Sequence, residues 1–174
     1  MANYEIKSEN SDVEVFTVIP NLFPQEFLET IHQFNSEQNW KWNGDSLYTD
    51  LTGIDFFEKT CVEHINRMTG IEHELYRCYR SGTLPTTTTA KHYDTHTKGD
   101  RTVVFYGHMR WEDAWGGETI FGENDSIYVK PIPNSAVYFS CKHYPHVVRP
   151  PNHMSSELRI TYMWKLKSKE NKNV

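Results

Sequence analysis

Lys91-His92-Tyr93-Asp94 is the segment of this 174-residue chain with the most chemistry in it. On an extended strand, residues two apart point to the same side, so the His92 imidazole and the Asp94 carboxylate would project together. One nitrogen and one oxygen donor at that spacing can take adjacent positions on a metal ion. A second imidazole from elsewhere would complete a facial set of three, which leaves three positions open and characterises non-haem Fe(II) oxygenases. By itself H-x-D recurs by chance, so the second imidazole has to be found. His146, in Tyr144-Pro145-His146-Val147-Val148-Arg149-Pro150, stands just before a short β run and is the preferred third ligand. His96, inside the turn-like stretch Thr95–Asp100, and His143, three residues before His146, are the alternatives. His32, His64, His73, His108 and His153 read as surface or packing histidines.

A second chemical feature is a cation. In Leu158-Arg159-Ile160-Thr161-Tyr162-Met163-Trp164 the apolar residues alternate onto one face of a strand, which leaves Arg159 and Thr161 on the other. An arginine on the inward face of a closed sandwich is costly unless it is paired. A dicarboxylate ligand would supply the partner, because a guanidinium grips a carboxylate through two parallel hydrogen bonds. Two further segments stand out, Gly116-Gly117-Glu118-Thr119-Ile120-Phe121 and the proline turn Lys130-Pro131-Ile132-Pro133-Asn134-Ser135 leading into Ala136-Val137-Tyr138-Phe139. Taken singly, the glycine pair reads as a turn requirement, and Trp40, Trp42, Trp111 and Trp115 read as packing residues.

In chain order these pieces run H-x-D, G-G-E-T-x-F, P-x-P-x-x-A-V-x-F, P-H-x-V-x-P and R-x-T, over roughly Leu75 to Leu166. Together they resemble the prolyl 4-hydroxylase-like branch of the 2-oxoglutarate/Fe(II) dioxygenases. The helix opening Leu22-Phe23-Pro24-Gln25-Glu26 is similar to that family's start. The resemblance implies a mainly β fold with N-terminal helices, a double-stranded β-helix of the cupin-like jelly-roll kind. It implies Fe(II) on His92, Asp94 and His146, and 2-oxoglutarate with its distal carboxylate on Arg159. Tyr106, in Thr102-Val103-Val104-Phe105-Tyr106, would be a second contact to that carboxylate, with Thr161 nearby as a hydroxyl donor. Tyr79, in Tyr79-Arg80-Ser81-Gly82, would sit near the iron. O2 is the other implied co-substrate, and ascorbate the reductant.

The reaction implied is hydroxylation of a C–H bond, of a peptidyl prolyl residue, with release of succinate and CO2. Asp94 favours hydroxylation over halogenation, which would need a small residue there. Two features depart from the family pattern. The interval from His146 to Arg159 is long, with the extra residues expected to bulge around Asn152–Ser156, and the anchor is arginine where collagen-type enzymes use lysine. A protein or peptide substrate is the leading expectation, and a free amino acid or small metabolite the alternative. A nucleic-acid partner is opposed by the net charge of −5 and by Lys165, which stands where nucleic-acid demethylases have a second arginine. A non-catalytic, cupin-like metal-binding module is opposed by the retained anchor, which a closed structural site would not need.

Elements must hold these groups in place. Phe23, Phe27, Leu28, Ile31 and Phe34 recur at helical spacing after Pro24, which suits a first helical turn. Phe57, Cys61, Ile65 and Met68 form a second helical pattern closed by Gly70. A short β-branched run, Val13 to Ile19, precedes both. After Gly70 the spacing predicts strands over Glu74–Arg80, Ala90–Asp94, Thr102–Met109, Glu118–Phe121, Ser126–Val129, Ala136–Ser140, Val147–Arg149 and Leu158–Leu166, with turn residues between them. The expectation is one dioxygenase domain, 1–174, with helical support over about 22–70 and a β-helix core over about 71–167. Trp40–Gly53 and Gly82–Thr89 read as loops that carry substrate choice, and Lys167–Val174 as a solvated tail. With no apolar run near eighteen residues, no leader pattern and three widely spaced cysteines, Cys61, Cys78 and Cys141, a cytoplasmic protein without a membrane partner is expected.

Overall fold

Alternation along the long strands builds a two-layered sandwich with helices on one outer face. The structure, a computed structural model, describes residues 14–37, 39–44, 46–87 and 89–169. Its elements are β1 (Phe16–Ile19), α1 (Gln25–Ser36), β2 (Lys41–Trp42), β3 (Leu47–Asp50), α2 (Cys61–Thr69), β4 (His73–Thr83), β5 (Asp100–Tyr106), β6 (Thr119–Phe121), β7 (Ile127–Val129), β8 (Ala136–Ser140), β9 (His146–Val148) and β10 (Arg159–Ser168). The larger sheet runs β1-β8-β5-β10-β4-β3-β2 and the smaller β7-β6-β9. Every strand pair in both is antiparallel. Two facing antiparallel sheets of this order make the mainly β, double-stranded β-helix that the sequence led us to expect.

The period of two decides what each face meets. On β5, Val103 and Phe105 join Ile160, Tyr162, Trp164 and Leu166 of β10 in a cluster with Leu22, Phe23, Ile31, Phe57, Cys61 and Ile65, which lie in or beside the two helices. The intervening Val104, Tyr106 and Met163 turn inward, to Phe121 and Val129 of the smaller sheet. Burying a large apolar side chain contributes about 1.5–3 kcal/mol, so the helical layer anchors the sheet firmly. It is also pinned by polar contacts. Trp164 Nε1 donates to the Phe57 carbonyl at 2.9 Å and the Tyr162 hydroxyl to Asn35 Oδ1 at 2.6 Å. Arg80, fully buried on β4, donates to the Phe34 and Glu37 carbonyls at the C-terminal end of α1, at 2.6 and 3.2 Å. Pro24 precedes the first residue of α1, and Gly70 ends α2 in the left-handed conformation at φ 69°.

Three expectations need correction. Ala90–Asp94 is not a strand. Its backbone makes a single bridge, His92 to His146, and Asp94 lies in a bend, because one reciprocal pair of hydrogen bonds does not make a ladder. Trp40–Gly53 is not an open loop. β2 and β3 form a hairpin whose second strand pairs with β4 from Leu47↔Gly82 to Asp50↔Tyr79, and this extends the larger sheet. Lys167 and Ser168, placed in the tail, continue β10 as partners of Glu74 and His73. The start of the early β run at Val13, and residues 170–174 of the tail, fall outside the described residues. The loop around Asn152–Ser156 lies between β9 and β10, as expected. No helix among the described residues is long and apolar enough to cross a membrane.

Candidate active site

β9 begins at His146 and pairs on one side with β6, where Phe121 faces His146. On its other side His146 meets His92. That bridge carries the H-x-D segment to the end of the smaller sheet and brings His92, Asp94 and His146 together, with one donor atom from each lying within 4.8 Å of the others. His92 Nε2 is 3.7 Å and His146 Nε2 3.9 Å from Asp94 Oδ1. The His146 and Asp94 side chains are buried, whereas the His92 side chain is 53% exposed, so the cluster opens at the rim of the sandwich. His96 and His143 stay outside this group. His96 packs instead against Tyr93, the two rings tilted at a centroid distance of 4.8 Å.

The surroundings of each donor suit a cation. His92 Nδ1 donates to the Ala90 carbonyl at 3.0 Å and His146 Nδ1 to the Tyr144 carbonyl at 3.3 Å. A carbonyl can only accept, so both rings carry the proton on Nδ1 and present the Nε2 lone pair, the tautomer a metal needs. Asp94 Oδ2 is committed to the Thr102 hydroxyl at 2.7 Å, which leaves Oδ1 as the oxygen between the two imidazoles. Oδ1 also accepts an ion pair from the Lys165 ammonium. Burial pushes the Asp94 carboxyl up, but Lys165, His146 and the hydrogen bonds from Lys165 and Thr102 outweigh it and hold it at about 2. Burial depresses His146 to about 4, against the pull of Asp94. Both groups are therefore held in their metal-binding forms at neutral pH.

Deeper between the sheets lies the arginine. Arg159 is buried, with Nε donating to the Gly117 carbonyl at 2.6 Å and an η-nitrogen to Thr119 Oγ1 at 2.9 Å. Its guanidinium sits 5.4 Å from the centroid of the Tyr106 ring, and the Tyr106 hydroxyl meets Thr119 Oγ1 at 2.8 Å. Glu118 is the carboxylate whose charge reaches Arg159, but it lies 3.5 Å from Arg149 at the surface. A buried cation whose hydrogen-bond partners are neutral is an unsatisfied demand for an anion. Thr161 is on the same face, cross-strand from Tyr106 and Ser81. Tyr79 lies on the Lys165 side of the site, where the charges of Lys165 and Asp94 reach it, its ring 6.0 Å from the Lys165 ammonium and 4.6 Å from the Arg77 guanidinium.

Three neighbours of the site were not picked out as such from the sequence. Thr119 lies inside the G-G-E-T motif. Lys165 shares the parity of Arg159 on β10, so the alternation that placed the arginine inward places the lysine inward as well. Thr102 carried no local signal, because its partnership with Asp94 depends on a bend eight residues earlier.

The sequence signature of the 2OG-Fe(II) oxygenase superfamily matches residues 76–166. No curated protein matches the chain in sequence. Among solved structures, a Pseudomonas putida prolyl-4-hydroxylase superposes with a TM-score of 0.68 at 14% identity, over 88% of this chain and 92% of that one. A viral collagen prolyl hydroxylase from Paramecium bursaria Chlorella virus-1, in its 2-oxoglutarate complex, gives 0.62 at 16%, over 87% and 96%. A Trichoplax adhaerens prolyl hydroxylase, in complex with a hypoxia inducible factor oxygen degradation domain peptide fragment, gives 0.63 at 16%, over 89% and 83%. At these identities the likeness is one of fold.

Proposed function

Given that this chain belongs to the 2OG-Fe(II) oxygenase superfamily, and so is an oxidoreductase using Fe(II), 2-oxoglutarate and O2, we propose that it hydroxylates a peptidyl prolyl residue, with His92, Asp94 and His146 holding the iron. The observation that carries the site assignment is the convergence of two imidazole Nε2 atoms and one carboxylate oxygen within 4.8 Å, each oriented by a hydrogen bond on its other heteroatom. Bound there, the metal with its co-substrates supplies the oxidising power to hydroxylate an unactivated C–H bond while 2-oxoglutarate becomes succinate and CO2. The protein supplies position and charge. Arg159 receives the distal carboxylate, with Tyr106 and Thr119 converging on the same point. Thr102 keeps Asp94 Oδ2 occupied, so that the carboxylate ligates through one oxygen. The Tyr106, Val104, Val137, Phe139 and Met163 lining excludes water from the co-substrate side.

The prolyl reading draws on the fold shared with three prolyl hydroxylases and on the surface beside the rim. Tyr48 of β3 packs on Tyr79 at 5.3 Å, and the Arg77 guanidinium lies over both rings. Aromatic surfaces of this kind accept the preformed extended helix of proline-rich segments. The test is to incubate the protein with Fe(II), 2-oxoglutarate, O2 and ascorbate, with and without proline-rich peptides. Peptide-dependent succinate release together with a gain of one oxygen on proline is expected. Succinate release that no peptide stimulates, but a free amino acid does, would overturn the peptidyl assignment and leave the oxygenase chemistry standing.

A further inference from the structure

Among the described residues, Lys165 is the one Lys or Arg that pairs with the His–Asp–His cluster, and it does so at the oxygen the metal needs. Its ammonium pairs with Asp94 Oδ1, the atom lying 3.7 and 3.9 Å from the two imidazole nitrogens. Both partners are almost fully enclosed, the Lys165 side chain 8% and Asp94 5% exposed. Ammonium and metal therefore compete for one carboxylate oxygen, and neither charge can be left bare at that depth without cost.

We propose that Lys165 couples metal binding to co-substrate binding by exchanging partners. In the metal-free protein it neutralises Asp94; once Asp94 Oδ1 ligates the metal, the ammonium passes to the carboxylate that 2-oxoglutarate brings to the same metal. The inference rests on the metal-site assignment made above. Its physical basis is what Lys165 would otherwise meet after release. Beside it stand the Thr102 hydroxyl at 3.3 Å, the Tyr79 ring at 6.0 Å and the Cys141 thiol, which burial keeps protonated, and none of these carries a full negative charge. Arg77, its cross-strand partner on β4, is a second cation. Metal alone thus binds against the cost of leaving a buried ammonium without its counter-charge. An anion arriving with the metal removes that cost, and the flexible lysine stem lets the charge follow it. By linkage, each ligand then tightens the other by the same factor.

The test uses the full chain and Mn(II) as a redox-silent probe, titrated by calorimetry with and without 2-oxoglutarate. In the wild type, 2-oxoglutarate should tighten Mn(II) binding by a factor in the range of about 5 to 150 typical of coupled sites. In Lys165→Gln, which keeps a hydrogen-bond donor for Asp94 and so protects the fold, Mn(II) alone should bind several-fold more tightly than in the wild type. The tightening by 2-oxoglutarate should also shrink by at least about fivefold. Lys165→Arg, which keeps the charge, should retain it. Equal tightening in the wild type and Lys165→Gln overturns the inference, and so does loss of tightening in Lys165→Arg, because the charge would then be irrelevant. A wild type that takes up no Mn(II) is a separate result, and it removes the metal site itself together with the inference built on it.

Discussion

His92 and His146 exchange both of their backbone hydrogen bonds, at 3.0 and 2.9 Å, and their imidazole centroids lie 4.6 Å apart. The ring at the rim is thus set by the main chain of the buried one. Backbone bonds survive side-chain replacement, so ligation and folding should separate here. His92→Ala is expected to lower Mn(II) affinity by more than the roughly 10–100-fold typical of outer-shell changes. Because its side chain is half exposed, the same change should alter stability by less than about 1 kcal/mol. Calorimetric titration and urea denaturation of the same preparation check the two halves.

Thr102 presents a subtler case. Its buried hydroxyl donates to Asp94 Oδ2 at 2.7 Å and contacts Cys141 Sγ at 3.1 Å. Thr102→Val keeps the shape and the strand propensity but removes the donor. The carboxylate then loses the bond that orients Oδ2, and Mn(II) affinity should fall by about 10–100-fold with a loss of about 1–3 kcal/mol in stability. Affinity equal to the wild type would show that Asp94 needs no orienting partner.

Gly117 adopts φ +81°, and a Cβ there would stand 2.9 Å from the Trp111 ring and 3.2 Å from Arg159 Cδ. Gly117→Ala should therefore cost about 1–3 kcal/mol from backbone strain alone. It should also push the arginine off its seat on the Gly117 carbonyl. The expected kinetic outcome is a raised half-saturating 2-oxoglutarate concentration, at least severalfold, with a smaller change in the rate at saturating co-substrate. Succinate formation across a 2-oxoglutarate series reads both.

Acid should destabilise the protein well before its carboxylates protonate. Burial depresses His73 and His108 to about 4, against about 6.5 in an unfolded chain. Between those values the unfolded chain binds more protons, so stability rises with pH from about 4 to 6.5 and is level above. Each histidine accounts for about 3 kcal/mol over that window. The depressed carboxyl of Asp94 adds its own loss only as pH falls below 3.8 towards 2. Urea denaturation at intervals from pH 4.5 to 7.5 measures the slope, and His108→Gln should flatten it by roughly a third, because His146 is depressed to the same extent as His73.

Read alone, the amino-acid order already contains the donor types, the helix ends at Pro24 and Gly70, and the alternation on β10 that turns Arg159 away from Ile160, Tyr162 and Trp164. These are short-range properties. A period of 2 or 3.6, a missing N–H or a left-handed glycine acts within a few residues, whatever the rest of the chain does. The choice of His146 over His143 and His96 is different in kind, as is the placing of His92 by one bridge where a strand was expected. The same is true of the Lys165 ammonium resting on Asp94. Each depends on backbone pairings between segments some fifty or more residues apart, where the energy that selects one partner comes from burial and register across the two sheets. Local spacing carries no record of that selection, so only the folded chain could decide which charges meet.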